Sequence, residues 1–549
     1  MGSIRSTRLA QWSWLLLPLA CHFGYSWIGF TPTDDGWMLA IARRLIDGQI
    51  PYRDFIFVFP PLSAILEIPL VLFGGDYVLW LSRLWGWITI GAVCWLWSGR
   101  VDLPGNSFST RYALYACACL MTAHTFPVMA WHSLDGMLLI SLAVCLAGRN
   151  TPNSLRTAFF LTGLAALCRQ NFAIFPPFLL LAIHNPFKWR AMFWTGVPPL
   201  IFAATTLYEG CLSDCLRQVT STGDHFAKVA FWQFIKNPGF LWAIPAGAVS
   251  ALLIQAGRRR LNTAAVPAIV VLCGLTYTAF SLWRGPYFYA DFAFQFFGFV
   301  LGLTLVAAGR GLPDKDRLIL AAGLGLTWVT SISIGYNTPM LMTGVLLCLL
   351  WHLVHLLDSM RETDLNPKGN LTTAALFISV LTIGAAFQHA RQQFPYRDRP
   401  AAELQWDVGD VLPGGAGLRT NSLTYATLAD LKQLTTRFEA EHRRYAIFTD
   451  CSAFWIRSTP SNPLICEWAQ ETALGYDLLL FQRFFESLKK LPPESPIIVQ
   501  KYLIAEYSWS RMPVPAGAKF YFAQEWVQKF YHKTGETEFF EIYVAPTAP

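Results

Sequence analysis

The chain has 549 residues, long enough for several ordinary domains, yet its composition rules out a soluble assembly of them. Hydrophobic residues make up 54% and charged residues 14%, where a soluble protein carries about 25% charged. Soluble cores cannot hide that much apolar surface, so most of the chain belongs in lipid, and disordered, collagen-like and disulfide-framework classes are excluded. The 22 Trp suit a protein with many membrane–water boundaries. Residues 1–388 hold 25 Lys and Arg against 17 Asp and Glu, whereas residues 389–549 hold 17 against 18. The positive excess therefore sits in membrane loops and implies no nucleic-acid partner.

Apolar runs of about 17–22 residues separated by short polar loops predict transmembrane helices. They fall at 9–30, 77–98, 112–128, 134–148, 155–168, 172–183, 191–208, 238–256, 264–283, 289–308, 318–335, 339–357 and 371–388, thirteen in all. The fifth and sixth are divided only by Arg169-Gln170-Asn171, and loop charge decides that they are two. With the N-terminus inside, 16 basic residues lie in inner segments and 8 in outer loops. Merging the pair would put Arg258-Arg259-Arg260 outside, against the positive-inside bias. Leu19-Ala20-Cys21 faintly resembles a cleavage site, but the apolar run continues to Phe30, so the segment is expected to be retained.

An odd number of spans puts residues 389–549 on the outer side. The expected fold is a polytopic α-helical membrane domain over 1–388, with outer interfacial helices at about 36–73, and a small soluble α/β domain over 389–549. Segment 389–400 (HARQQFPYRDRP) is the linker. Residues 424–443 and 466–490 are predicted as amphipathic helices. Tyr445–Phe448, Pro496–Val499 and a pair around Phe520–Phe522 and Phe539–Val544 are predicted as strands. Cys451 with Cys466, and Cys211 with Cys215, face an oxidising compartment, and each pair is either a disulfide or two thiols.

The outer loops carry 11 acids, several at span ends. Asp34-Asp35 follows the first span after only Thr31-Pro32-Thr33 and has two readings. Thr33 or Asp34 caps the next helix, or the two carboxylates at the membrane face bind a cation or a substrate hydroxyl. Helix 36–47 is amphipathic, with Arg43-Arg44 on its polar side, and is expected to lie along the membrane surface. Pro51-Tyr52-Arg53-Asp54-Phe55 is a rigid turn. Phe59-Pro60-Pro61-Leu62 opens a second apolar helix, ending at Phe73-Gly74 and too short to span.

The order of a first span, Asp34-Asp35-Gly36, a helix ending at Gly48, Pro51-Tyr52-Arg53-Asp54, Pro60-Pro61-Leu62, Phe73-Gly74 and Arg83-Leu84 resembles the membrane glycosyltransferases of the GT-C class. It is most similar to the branch of protein O-mannosyltransferases and lipid A aminoarabinose transferases. The resemblance is strongest over about residues 25–180. It implies a glycosyltransferase in a bacterial inner membrane, with a cytoplasmic N-terminus and a periplasmic C-terminal domain. The donor would be a sugar on a polyprenyl phosphate, and the acceptor a hydroxyl of a glycan, lipid or protein, with membrane lipids as surroundings. The family's acidic pair falls on Asp34 and Asp35, the first as catalytic base. Its acid at the fourth span falls on Asp135, in Trp131-His132-Ser133-Leu134-Asp135-Gly136, and its basic residue after the fifth span falls on Arg169. Where aminoarabinose transferases have Lys before Pro-Pro, this chain has Phe59, so the donor phosphate needs another cation: Arg53, Arg169 or Arg284.

That chemistry needs a base for the acceptor hydroxyl, positive charge facing the departing phosphate, and an apolar groove for the isoprenoid. Bland explanations stand beside each residue. Arg169 either binds phosphate or snorkels from a short loop. His132 favours an interfacial hydrogen bond over a metal, although a divalent metal is left open. Trp283–Asp291 is either a sugar platform or an aromatic belt with an ion pair of Arg284 and Asp291. Gly335–Pro339 is a tight turn, Arg258–Arg260 a topology anchor and Asp450 a strand-end turn residue. A lipid-linked substrate transporter or flippase predicts charges at mid-span and matching halves, which are absent. An O-antigen ligase or polymerase would place basic residues in a larger late loop than 209–237. The loop charges predict that a reporter active only outside the cytoplasm is active when fused after Pro549 and silent when fused at Arg259. The reverse pattern would overturn the thirteen-span topology.

Overall fold

The computed structural model describes residues 12–101, 108–124, 128–221, 223–256, 265–333, 337–359, 369–467, 478–505, 508–515 and 521–546. Arg258-Arg259-Arg260, Gly335-Tyr336, Phe520 and the start of the predicted 466–490 helix lie outside them.

The apolar runs are helical. In chain order the first part contains α1 (Leu16–Tyr25), α2 (Trp37–Ile46), α3 (Leu62–Phe73), α4 (Val78–Ser98), α5 (Phe108–Ala123), α6 (His132–Ala147), α7 (Pro152–Cys168) and α8 (Pro176–Ala182). There follow α9 (Lys188–Tyr208), α10 (Leu212–Thr220), α11 (Gly223–Ile235), α12 (Pro238–Ala256), α13 (Ala265–Arg284), α14 (Pro286–Ala308), α15 (Asp314–Ser331), α16 (Thr343–Ser359) and α17 (Gly369–Gln393). By length and composition, four segments among the described residues can cross a membrane: Gly75–Ser98, Pro238–Gln255, Pro286–Ala308 and Pro339–Leu357. The other runs are helical but shorter or more polar, so these lengths do not establish thirteen spans. Close packing is built into the sequence where α14 meets α12. Gly298-x-x-x-Gly302 lies against the carbonyls of Phe240 and Ile244, where an added Cβ would come within 2.5 and 2.0 Å.

The first span ends earlier than its apolar run. Residues 26–29 leave the helix because the Arg83 guanidinium takes the Ser26, Ile28 and Gly29 carbonyls at 2.8, 3.0 and 2.7 Å. From there, chain 30–79 belongs to the core of the C-terminal part. Phe30, Leu39, Val78 and Leu79 cluster with Leu412, Leu428 and Ile456. Trp37, Ile41, Phe55 and Phe57 cluster with Phe448, Leu480 and Val499.

This corrects the expectation for helix 36–47. The helix α2 does not lie on lipid with Arg43-Arg44 in water; Trp37 through Ala42 and Arg44 are all buried. Helix α3 packs along one side, and α19 (Phe454–Arg457) of the C-terminal part along another. The Arg44 charge is accommodated by an ion pair with buried Glu467 and by hydrogen bonds to Gln49 Oε1 at 2.7 Å and the Leu464 carbonyl at 2.6 Å. Gly36 opens α2 with φ +82°, and a Cβ there would meet Ile456 Cδ1 at 2.7 Å. Left-handed backbone and close approach both require glycine. Helix α3 keeps an apolar exposed side, with Leu72 and Phe73 52% and 85% exposed, as a helix at a lipid surface would.

The C-terminal part begins with β1 (Trp406–Asp407) paired antiparallel to β2 (Arg419–Thr420), then α18 (Ser422–Ala440). The core sheet has the order β3–β4–β8–β7, from β3 (Ala446–Phe448), β4 (Ile497–Gln500), β7 (His532–Glu536) and β8 (Phe540–Val544). The β3–β4 pair is parallel and the other two are antiparallel. A hairpin of β5 (Tyr502–Ala505) and β6 (Ser508–Pro513) stands apart, and α20 (Leu478–Lys489) and α21 (Phe522–Phe530) complete the part. Three predicted strands are present, but the fourth is not: Phe522 starts α21. The aromatics at 520–522 imitate a strand, whereas Ala523 and Val527, four apart and buried, carry helical period. On the side away from β4, β8 pairs with the polar β7. All twelve cysteines are free thiols, so neither cysteine pair forms a disulfide.

The buried Arg44–Glu467 pair gives a stability prediction. Arg44→Met leaves Glu467 uncompensated and should cost about 3–5 kcal/mol, read as a lower thermal midpoint in detergent. Adding Glu467→Leu should recover most of the loss; a double variant as unstable as the single one would refute this.

Candidate active site

The acidic pair follows the early end of α1. Neither acid caps α2, whose N-cap is Gly36 with no side-chain cap bond, so the capping explanation for the pair fails. Asp35 is buried, and its Oδ2 accepts from Arg83 at 2.9 Å and from the Thr31 amide at 2.9 Å. It ties the loop to α4. Asp34 has different partners: its Oδ2 accepts from the Tyr396 hydroxyl at 2.9 Å and from Arg397 at 3.1 Å. Burial pushes the Asp34 carboxyl above its usual range, and the Arg397 guanidinium partly offsets the rise.

The strap 394–400 that supplies Tyr396 and Arg397 is itself anchored. Asp398 accepts from the Phe30 amide at 2.9 Å, Thr420 Oγ1 at 3.0 Å, Asn421 Nδ2 at 2.7 Å and the Arg399 amide at 2.8 Å. Burial pushes its carboxyl up to about 6 despite these donors. The loop of Asp450 and Cys451 docks beside Asp35, and burial pushes the Cys451 thiol up to about 12.

A second polar group lies behind Trp37. Trp37 contacts Phe59, Trp131 and His132, with ring centroids 5.7, 5.7 and 6.1 Å apart. The His132 ring packs tilted against Phe59, with ring centroids 4.6 Å apart. Arg169 is 2% exposed. Its Nη1 donates to Ser133 Oγ at 2.8 Å, its guanidinium sits 5.7 Å from the Phe59 ring, and its Nε has no partner among the described residues. Among those residues no carboxylate pairs with it. The Phe59 that replaces a lysine is thus the aromatic wall beside Arg169. Asp135 is buried, with Oδ1 accepting from Trp85 Nε1 at 3.2 Å.

The other two arginines lie elsewhere. Arg53 is exposed and already bridges Asp54 at 3.0 Å and Glu209 at 3.2 Å. Arg284 is exposed at the end of α13, with Phe288 4.6 Å and Phe280 6.0 Å from its guanidinium. It makes no ion pair with Asp291, and the adjacent Trp283 stacks on His389 at 3.7 Å. For a divalent metal, no group of three or more His, Cys, Asp or Glu comes together among the described residues.

Sequence reasoning missed Tyr396, Arg397 and Asp398, which it treated as linker. Their signal was two arginines, a tyrosine and an acid within five residues of a supposed spacer. It also passed over Glu67, the one acid in an otherwise apolar helix.

No protein-family model matches the chain, and no curated protein matches it in sequence. Among solved structures, it is similar to the apo crystal structure of ArnT from Cupriavidus metallidurans, at 12% identity and a TM-score of 0.40 over 100% of both chains. A similarity of that size carries no conclusion about chemistry.

Proposed function

We propose that the protein is a membrane glycosyltransferase of the GT-C kind, moving a sugar from a polyprenyl-phosphate carrier to an acceptor hydroxyl at the outer membrane face. The observation that carries this reading is Arg169, a buried guanidinium with no counter-charge among the described residues, walled by Phe59 and His132. An anion is the natural complement of such a group, and a lipid phosphate can approach it through apolar surroundings. Asp34 is the base. It takes the acceptor proton as the acceptor oxygen bonds the anomeric carbon and the bond from that carbon to phosphate breaks, so direct displacement inverts the centre. The negative charge leaves on the polyprenyl phosphate, where Arg169 meets it. Asp35 is a positioning residue, holding the Asp34 loop to Arg83, and Asp135 and His132 line the same region. Arg53 is spoken for by two carboxylates, and exposed Arg284 suits lipid headgroups better than the reacting phosphate.

Purified protein incubated with a panel of polyprenyl-phosphate sugars should release polyprenyl phosphate from one of them. Asp34→Asn should lose at least about 10²-fold in turnover with near-normal stability. Arg169→Ala should weaken donor binding more than Arg284→Ala. Donor that crosses the bilayer without release of polyprenyl phosphate would favour a flippase instead, and normal turnover in Asp34→Asn would remove the base.

The pH profile tests the Asp34 environment. Because burial raises the Asp34 carboxyl, the acid limb of kcat/KM should lie above the ordinary aspartate range. Arg397 opposes that rise, so in Arg397→Ala the limb should move to still higher pH. An unmoved limb, or one moved to lower pH, would dissociate Asp34 from the profile.

A further inference from the structure

The backbone that carries Phe59 is held by side chains that the chemistry above does not use. Tyr52 and the run from Phe55 to Phe59 are buried, so their peptide groups need partners inside the protein. Gln218, on the buried side of α10, supplies two of them. Its Oε1 accepts from the Phe57 amide at 2.9 Å, and its Nε2 donates to the Tyr52 carbonyl at 3.0 Å. Gln170, the residue after Arg169, donates from Nε2 to the Val58 carbonyl at 3.1 Å and to the Val219 carbonyl at 3.3 Å. The Tyr52 hydroxyl donates to the Phe59 carbonyl at 2.8 Å. Residues 57, 58 and 59 are thus each held by a different side chain.

Tyr52 itself has φ +69°, a left-handed conformation that a tyrosine keeps only where its surroundings impose it. Gln218 holds its carbonyl, and its amide donates to the Phe55 carbonyl at 2.9 Å. Gln170 joins the same network to Arg169 through the backbone, and to α10 through Val219. The network ends at Phe59, whose ring lies 5.7 Å from the Arg169 guanidinium. We propose that Gln218 and Gln170 are positioning residues that set Phe59 against Arg169, and so keep water from the guanidinium that receives the phosphate. The effect on phosphate binding rests on the glycosyltransferase reading; the clamp on residues 57–59 does not.

The test titrates full-length protein in detergent with polyprenyl phosphate carrying no sugar. Gln218→Met keeps the length of the side chain but loses both bonds, and should weaken binding by about tenfold. Phe59→Ala should weaken it similarly, because water then reaches Arg169 and screens its charge. Adding Gln218→Met to Phe59→Ala should cost little more, since the clamp acts through the ring. Tyr52→Phe, which loses one hydroxyl and keeps the ring, should shift binding in the same direction. Wild-type binding in any of the three single variants, or losses that simply add in the double variant, would overturn the positioning role. Hydrogen exchange reads the clamp without a ligand: the Phe57 amide should exchange at least about tenfold faster in Gln218→Met. An unchanged rate would overturn the clamp. If wild type binds no polyprenyl phosphate, or Arg169→Ala binds it equally well, the phosphate reading fails, and the Phe57 exchange rate still decides the clamp.

Discussion

The Arg83 side chain sets the geometry on which the segment around Asp34 and Asp35 depends. Its guanidinium is buried near the start of α4, where its two Nη groups donate to three carbonyls of residues 26–29 and to the Asp35 carboxylate. A buried ion pair of this kind contributes little net stability, because both charges lose their hydration. It contributes definition. By taking three carbonyls that α1 would otherwise extend toward, Arg83 ends the first helix early and turns the chain sharply. Asp35 is consumed in that turn, and its neighbour Asp34 is left to the strap, where Tyr396 and Arg397 bond it.

The C-terminal part packs against the segment that carries Asp34 and Asp35. Chain 30–79 buries its apolar residues against that part, in two clusters that mix both halves of the sequence. Asp398 joins the strap, the turn before Asp34 and the start of α18 in one hydrogen-bonded node. A carboxylate with four donors is rigidly held, and so are Tyr396 and Arg397 just before it. The base candidate is thus positioned from α4 on one side and from the strap on the other.

Charge is distributed between two kinds of arginine. Arg44, Arg53 and Arg83 each have a carboxylate partner, so their charge is spent on structure. Arg169 is as buried as Arg44 and Arg83, yet meets a hydroxyl and aromatic faces instead. At low effective dielectric an unmatched charge is costly, which is the usual mark of a site that awaits an opposite one.

The membrane class, the helical positions of the apolar runs, the short helix at 62–73 and three of the four predicted strands were legible in the sequence. Each rests on local hydrophobic period or run length, which a single sequence displays directly. The pairing of acids and bases was not legible. Asp34 and Asp35 are indistinguishable as neighbours, and only the positions of Arg83, 48 residues away, and Arg397, 363 residues away, give them different tasks. Arg44 looked like a surface residue because amphipathic period does not reveal that Glu467 covers it. The segment 389–400 looked like a linker because its partners are distant in the chain. Local pattern follows from the helix and strand repeat, whereas the partner of a charge is set by which elements the fold brings together, and that only the tertiary structure decided.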